Sequence, residues 1–359
     1  MSMSSRGNLY RTIRSGIAPA AKTLLFKSGA LGALRAVRPS DRLAILRYHA
    51  ICGPEGYGYA SPGICISPTA FTQHVEYLAS NYNVISLPDA VSKIRAGAAL
   101  PPNAVAVTFD DGYADNLAAA RTLAQHGLSA TFYITAGCLE GGEPFWPSEL
   151  RYVLEAIDSD RLTLHAGGTS IEVDLSTPGA RSVALNRLTK TFKAHPIPVR
   201  EELRAQLRHY APGLVMPRIM LTWDEVREMH ALGMTIGCHT MTHPNLPNAG
   251  LVAAREELVS SRTKLEVEVG EAVTMFSYPN GGADRYLTPE VQQVVQEVGF
   301  EAATTSRNAF AGRASDLYAL ERIEVEESLH ELIFALEVER FVLTPAPRPG
   351  EQQTGVGNR

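Results

Sequence analysis

The sequence predicts an α/β fold, a (β/α)7-type barrel with a small subdomain inserted into it. Three observations carry this. Short apolar segments alternate with amphipathic helical ones from Leu43 to about residue 340, the rhythm of a parallel sheet with helical crossovers. One apolar segment, "AVAVTFD" (104–110), has no polar face, as expected of a parallel strand covered on both sides. Roughly seven repeats fit the length, which favours closure into a barrel over an open doubly wound sheet.

The elements follow in order. "LAILRYH" (43–49) reads as a strand, "FTQHVEYLAS" (71–80) as a helix, "YNVIS" (82–86) as a strand and "LPDAVSKIRAG" (87–97) as a helix. After the buried strand at 104–110, "YADNLAAARTLAQHG" (113–127) reads as a helix closed by Gly127, and "SATFYITA" (129–136) as a strand. Beyond residue 220, "TWDEVREMHALG" (222–233) is a helix with Thr222 as its N-cap. The strand "MTIGCH" and the long helix "LVAAREELVSSRTKLEVEVG" come next. "VTMFSYP", "FEAATTS" and "YALERIEV" read as strands, and "TPEVQQVVQEVG" and "SLHELIFALEVERF" as helices.

Residues 141–220 interrupt this rhythm with "FWPSELRYVLEAI", a hairpin-like "LTLHAGGTSIEVDL" and two polar helical stretches around 178–210. The division is therefore a segment 1–42, a barrel over 43–345 carrying the insertion 141–220, and a polar tail 346–359 read as disordered.

Charge separates the ends from the body. Residues 1–40 hold seven of the 33 Lys and Arg and none of the 38 Asp and Glu, although the chain's net charge is −5. Tyr10, Ile13, Ile17, Leu24, Leu31 and Leu34 share a helical face there, broken by Pro19 and by glycines. A basic amphipathic segment of this kind suits peripheral contact with an anionic membrane surface, the alternatives being a helix packed on the body or a disordered leader. The acidic body gives no sign of a nucleic-acid partner. Cys52, Cys65, Cys138 and Cys238 form no CxxC pair and read as free thiols of a reducing compartment. No stretch approaches the about 20 apolar residues of a membrane span, and the N-terminus has no clean signal core. The expectation is a cytoplasmic protein, peripheral at the inner membrane face.

In parallel βα folds, functional groups gather where strands end. Those edges carry His49, the pair Asp110 and Asp111, then His239 and His243, then "SYPNGG" (277–282), with Arg322 within the last strand. Two imidazoles and one carboxylate bind a divalent ion and leave positions open for water. One aspartate can supply that carboxylate while its neighbour acts as a base, the cation relieving their repulsion. The pair is not a zincin signature, because Thr240 stands where that motif needs Glu. Cys238 should point to the opposite side of its strand. Tyr113 and Asn116 can line the pocket. Trp146 and Trp223 are candidates for stacking on a ligand ring, with packing the alternative.

"TFDDGY" (108–113), "HTMTHPNL" (239–246) and "FSYPNG" (276–281) together resemble the polysaccharide deacetylases of carbohydrate esterase family 4, the NodB-homology domain. "LAILRYHAI" is similar to the opening strand of its poly-N-acetylglucosamine branch. The resemblance covers roughly 43–140 and 221–340. It implies a distorted (β/α) barrel and metal-dependent hydrolysis of an N-acetyl, or less often O-acetyl, group on a polysaccharide, oligosaccharide or glycolipid intermediate, such as that of an exopolysaccharide or a lipo-chitooligosaccharide. It implies Asp110 as base and Asp111, His239 and His243 as ligands of one divalent ion, zinc first, with cobalt or nickel as alternatives. It implies an oxyanion donor near Asn280, in the stretch Tyr278, Pro279 and Asn280.

Two departures stand out. Ser277 occupies the place of an arginine that buttresses the base in many members, and Arg322 can reach in instead. The late leucine-histidine motif is missing. Only His330 is available there, on a helix, so His49 is the better general acid. Two rivals follow. A catalytically silent glycan-binding barrel would bind sugar without releasing acetate. A two-histidine-one-carboxylate Fe(II) oxygenase would call for an all-β jelly roll, against the βα rhythm.

Overall fold

The computed structural model describes residues 19–282 and 286–341. Tyr10, Ile13 and Ile17 of the head, and the tail from 346, lie outside the described residues. The strands are β1 (Leu43–Tyr48), β2 (Asn83–Val84), β3 (Ala104–Phe109), β4 (Thr131–Ile134), β5 (Arg161–Ala166), β6 (Thr169–Asp174), β7 (Thr235–Cys238), β8 (Met275–Ser277), β9 (Ala302–Thr304) and β10 (Ile323–Glu324). The helices of the first half are α1 (Pro19–Lys27), α2 (Ala30–Val37), α3 (Pro68–Asn81), α4 (Leu87–Arg95) and α5 (Asn116–Gln125). Next come α6 (Trp146–Ala156), α7 (Pro178–Ala194), α8 (Ile197–Arg208) and α9 (Trp223–Ala231). The last four are α10 (Leu246–Ala249), α11 (Leu251–Val269), α12 (Pro289–Val298) and α13 (Leu329–Glu337).

Seven strands follow one another in the order β10-β1-β3-β4-β7-β8-β9, all parallel, and β2 adds to β3. The curled sheet turns back on itself. Thr305 N–H donates to the Leu320 carbonyl and Arg322 N–H to that of Arg307, while β10 pairs with β1. The two faces of each strand explain the unbroken apolar runs. Along β1 and β3, Leu46, Tyr48, Val107 and Phe109 pack outward in the main core, and Leu43, Ile45, Ala104 and Ala106 fill a second cluster.

Several strands are shorter than the sequence suggests. Of "YALERIEV" only Ile323–Glu324 is strand; Leu320 meets β9 through Ala303 and Thr304 as an isolated parallel bridge that does not extend into a ladder. Tyr113 is not helical either. It forms an isolated antiparallel bridge with Met220, so α5 starts at Asn116. Thr222 caps α9 in a full capping box with Glu225.

The stretch 146–208 folds as a helix, an antiparallel hairpin and two more helices around its own apolar cluster, including Trp146, Leu164, Val173, Leu188, Phe192 and Leu203.

The predicted apolar face of the head is divided. Gly29, at φ 74°, separates α1 from α2, and the chain turns so that Leu31 is buried while Leu24 is 70% exposed. Lys22 is buried and paired with Glu331 at 2.8 Å, and Arg35 bonds Asn81 at 2.7 Å. Among the described residues, no helix is long and apolar enough to cross a membrane.

Candidate active site

The C-terminal ends of β1, β3, β7 and β8 meet at one rim. β3 delivers Asp110 and Asp111, and the chain then turns sharply. Asp111 has φ 78° and Gly112 φ 91°. A Cβ at Gly112 would sit 3.3 Å from Ile134 Cδ1 in an already left-handed conformation. Thr240, His243 and Asn280 are also left-handed, at φ 67°, 54° and 62°. Non-glycine residues there cost on the order of 1 kcal/mol or more each, and four of the five described ones fall in this site.

Asp111 Oδ1 lies 3.5 Å from both His239 Nε2 and His243 Nε2. One ligand atom from each of the three buried residues falls within 4.8 Å of the others. His239 Nδ1–H donates to the Ser277 carbonyl at 2.8 Å, which leaves Nε2 as the lone-pair nitrogen facing Asp111. Burial pushes His243 down to about 3, so its ring is neutral. Burial works to raise Asp111, but His239, His243 and His49 around it lower it. A carboxylate and two imidazoles, buried and converging, fit a divalent cation.

Asp110 sits in a different environment. Arg322, 1% exposed, grips both its oxygens, Nη1 to Oδ1 at 2.7 Å and Nη2 to Oδ2 at 2.6 Å. The guanidinium is fixed in turn by the Thr305 carbonyl (2.7 Å), Thr108 Oγ1 (3.2 Å) and Ser277 Oγ (3.1 Å). Ser277 leaves room for Arg322 and accepts from it. Burial works to raise Asp110, yet Arg322 and His239 outweigh it and hold the carboxyl well below the usual range. His49 Nε2 lies 3.8 Å from Asp110 Oδ2. Burial lowers the His49 imidazole, against the pull of Asp111 and Asp110.

The residues after the aspartates hold His49 in place. Asn116 Nδ2 donates to the His49 carbonyl at 2.8 Å, and Asp115 accepts from Ile51 N–H (3.0 Å) and the Tyr59 hydroxyl (2.7 Å). Asn116 is buried and acts on the backbone; it does not line the pocket. Tyr113, 2% exposed, packs edge-on against Phe145 and beside Tyr59 as part of the wall.

The stretch predicted to meet substrate divides. Tyr278 is buried, with its hydroxyl bonded to the Tyr318 carbonyl at 2.9 Å and its N–H to that of Thr304 at 3.1 Å, so it has no hydrogen to offer. Pro279 has no N–H. Asn280 remains, and its Nδ2 is buried without a partner.

Neither tryptophan is open to sugar. Trp146, 2% exposed, donates its indole N–H to the His243 carbonyl at 3.0 Å. Trp223 packs against the core beneath Lys264. His330 bonds Thr23 at the α1–α13 contact. Cys238 turns to Ser261, as its strand position requires. Sequence reasoning missed Trp146's role, Glu257 and Arg200, which reach the 239–243 loop from far along the chain.

The chain is similar to known proteins in sequence and in fold. Residues 187–303 match the family model described as Polysaccharide deacetylase. Over 119 residues the chain is 26% identical to YxkH of Bacillus subtilis (strain 168), assigned as a candidate polysaccharide deacetylase. That match spans 33% of this chain and 41% of YxkH. Among solved structures, the Streptococcus pyogenes deacetylase PplD in complex with acetate superposes with TM-score 0.56 at 18% identity, over 86% of this chain and 100% of PplD. IcaB from Ammonifex degensii superposes with TM-score 0.53 at 17% identity, over 83% of this chain and 98% of IcaB. At such identities the superpositions speak for the fold.

Proposed function

Because the chain is a relative of the polysaccharide deacetylases, a family of carbohydrate-acting hydrolases, we propose that it is a metal-dependent deacetylase. Its substrate is an N-acetylated glycan or glycolipid, with O-acetyl groups second. The observation that carries this is the placement of two adjacent carboxylates in opposite settings, Asp111 between two imidazoles and Asp110 in an arginine fork.

Asp111, His239 and His243 would hold the cation. Their mixed oxygen and nitrogen donors suit zinc first, and also cobalt or nickel. When bound, such an ion supplies Lewis-acid chemistry, acidifying water and drawing electron density from an acetyl carbonyl. Asp110, kept ionised and aimed by Arg322, takes the proton from the attacking water. His49 Nε2 lies 3.8 Å from Asp110 Oδ2, close enough to relay that proton. A proton passed to His49 is placed to protonate the departing amine. The Asn280 N–H is the remaining donor of its turn for the oxyanion.

We place the protein on the cytoplasmic side, with α1 and α2 facing lipid. Exposed Leu24 and Val37 support this, while Lys22 and Arg35 are spent on internal partners. Co-sedimentation with anionic vesicles tests it, and a chain left wholly in the supernatant would end that placement.

The test of the activity is metal content and acetate release from N-acetylated oligosaccharides, in wild type beside Asp111→Ala and His243→Ala. About one zinc, cobalt or nickel ion per wild-type chain and none in the variants is expected. A wild type that takes up no metal when supplied would leave the silent barrel as the better reading.

A further inference from the structure

The loop 239–243 has no regular structure to hold it. It turns twice through left-handed residues, Thr240 and His243, and carries two of the three proposed ligands. Its polar groups are nevertheless engaged, and from two separate directions.

From the barrel, the buried Glu257 of α11 accepts Met241 N–H and Thr242 N–H on Oε2, at 2.8 and 2.9 Å, and the Thr242 hydroxyl on Oε1 at 2.7 Å. Ala136 and Gly137 donate their N–H groups to the carbonyls of Thr240 and Met241. From the insertion, Arg200, 2% exposed, donates to Thr242 Oγ1 at 2.9 Å, and Trp146 donates to the His243 carbonyl at 3.0 Å. The Thr242 hydroxyl thus gives its proton to the barrel and its lone pair to the insertion. Behind this joint, Arg204 and Arg208 both bond the buried Glu149, tying α8 to the helix that Trp146 opens.

We infer that the inserted subdomain is a positioning element of the metal site, and that Thr242, with Trp146 and Arg200, sets the reach of His243 toward Asp111. This rests on the reading of Asp111, His239 and His243 as metal ligands. Within the loop the His243 N–H is held by Thr240 Oγ1 at 3.0 Å, but its ring Nδ1 is buried with no partner, unlike the Nδ1 of His239. A ligand ring unsupported at its second nitrogen takes its position from its backbone, and here the insertion grips that backbone. Outer partners of metal ligands typically change affinity by about 10–100-fold.

The test uses the full chain, cobalt(II) and zinc(II), and three variants: Thr242→Val, Thr242→Ser and Trp146→Phe. Affinity is measured by competition with a chelator, the ligand field from the cobalt absorption bands, and folding from melts of metal-free protein. Thr242→Val and Trp146→Phe should weaken metal binding by about tenfold or more and shift the cobalt bands. Thr242→Ser, which keeps the hydroxyl, should restore both. Variants that melt lower yet bind cobalt with wild-type affinity and spectrum would overturn the inference, because the insertion would then only stabilise the fold. If Thr242→Val does not fold, Trp146→Phe, which keeps an aromatic ring, decides on the same readouts. A wild type that binds neither metal sinks the metal site itself, an outcome distinct from the variants matching a metal-binding wild type.

Discussion

Asp110 and Asp111 are adjacent in sequence, share one rim and lie in opposite electrostatic settings. Asp110 is neutralised by the chain's own cation, Arg322, locked by three further hydrogen bonds and 1% exposed. Asp111 faces two imidazoles that burial and hydrogen bonding keep as lone-pair donors. One carboxylate has a permanent counter-ion. The other is left open to an exchangeable one. Two like charges can stand side by side when each is answered separately.

The largest effect should come from exchanging these fates. Asp110→Asn keeps the metal ligands and should bind zinc like wild type, yet lose acetate release by on the order of 10²–10⁴-fold. Loss of metal in that variant would break the division between the two carboxylates. Next, Arg322→Met strands a buried carboxylate. It should cost about 3–5 kcal/mol in urea unfolding, and Asp110→Asn in the same chain should recover part of it. A cost near zero would mean the fork is ornamental.

The two sides should also separate by pH in metal-free protein. His243 is neutral in the fold down to about 3, whereas the unfolded chain protonates it below about pH 6.5. The unfolded state therefore binds more protons in that window, and stability falls as pH drops through it. His49, also lowered by burial, adds to the same window. Asp110 is depressed below the carboxylate range, so its contribution is whole above about pH 4 and is lost only in stronger acid. His243→Asn should flatten the upper limb and Asp110→Asn the lower. Parallel curves for wild type and His243→Asn between pH 7 and 4 would contradict this. The smallest effect belongs to Ser277→Ala, which removes one of the bonds that fix Arg322. A loss of about 1 kcal/mol is expected, read from the same melts.

The barrel and the Asp-His-His cluster were legible because their signals are local. Buried strands read as apolar runs, and Asp110, Asp111, His239 and His243 lie in two short stretches at strand ends. Arg322 was half legible: its charge marked it, but only the fold brings it across 212 residues to Asp110. Trp146, Arg200 and Glu257 gave no sign of their partners. An aromatic in a mini-core and charges on helices look alike whether they face solvent or a loop from a distant part of the chain. Tyr278 misled for a related reason, since a motif does not reveal which hydroxyl a neighbouring carbonyl will claim.

The left-handed backbone at the rim bears on how the chain can evolve. Thr240 is β-branched at φ 67°, where glycine or asparagine would fold more easily. Its hydroxyl bonds the His239 carbonyl and accepts His243 N–H. Glycine there would relieve the left-handed strain but give up both hydrogen bonds, so the threonine serves the geometry of the 239–243 loop more than ease of folding. A lineage that had abandoned chemistry for sugar binding would have no reason to keep a threonine there. In such a lineage, position 240 is where the first relaxed substitutions should accumulate.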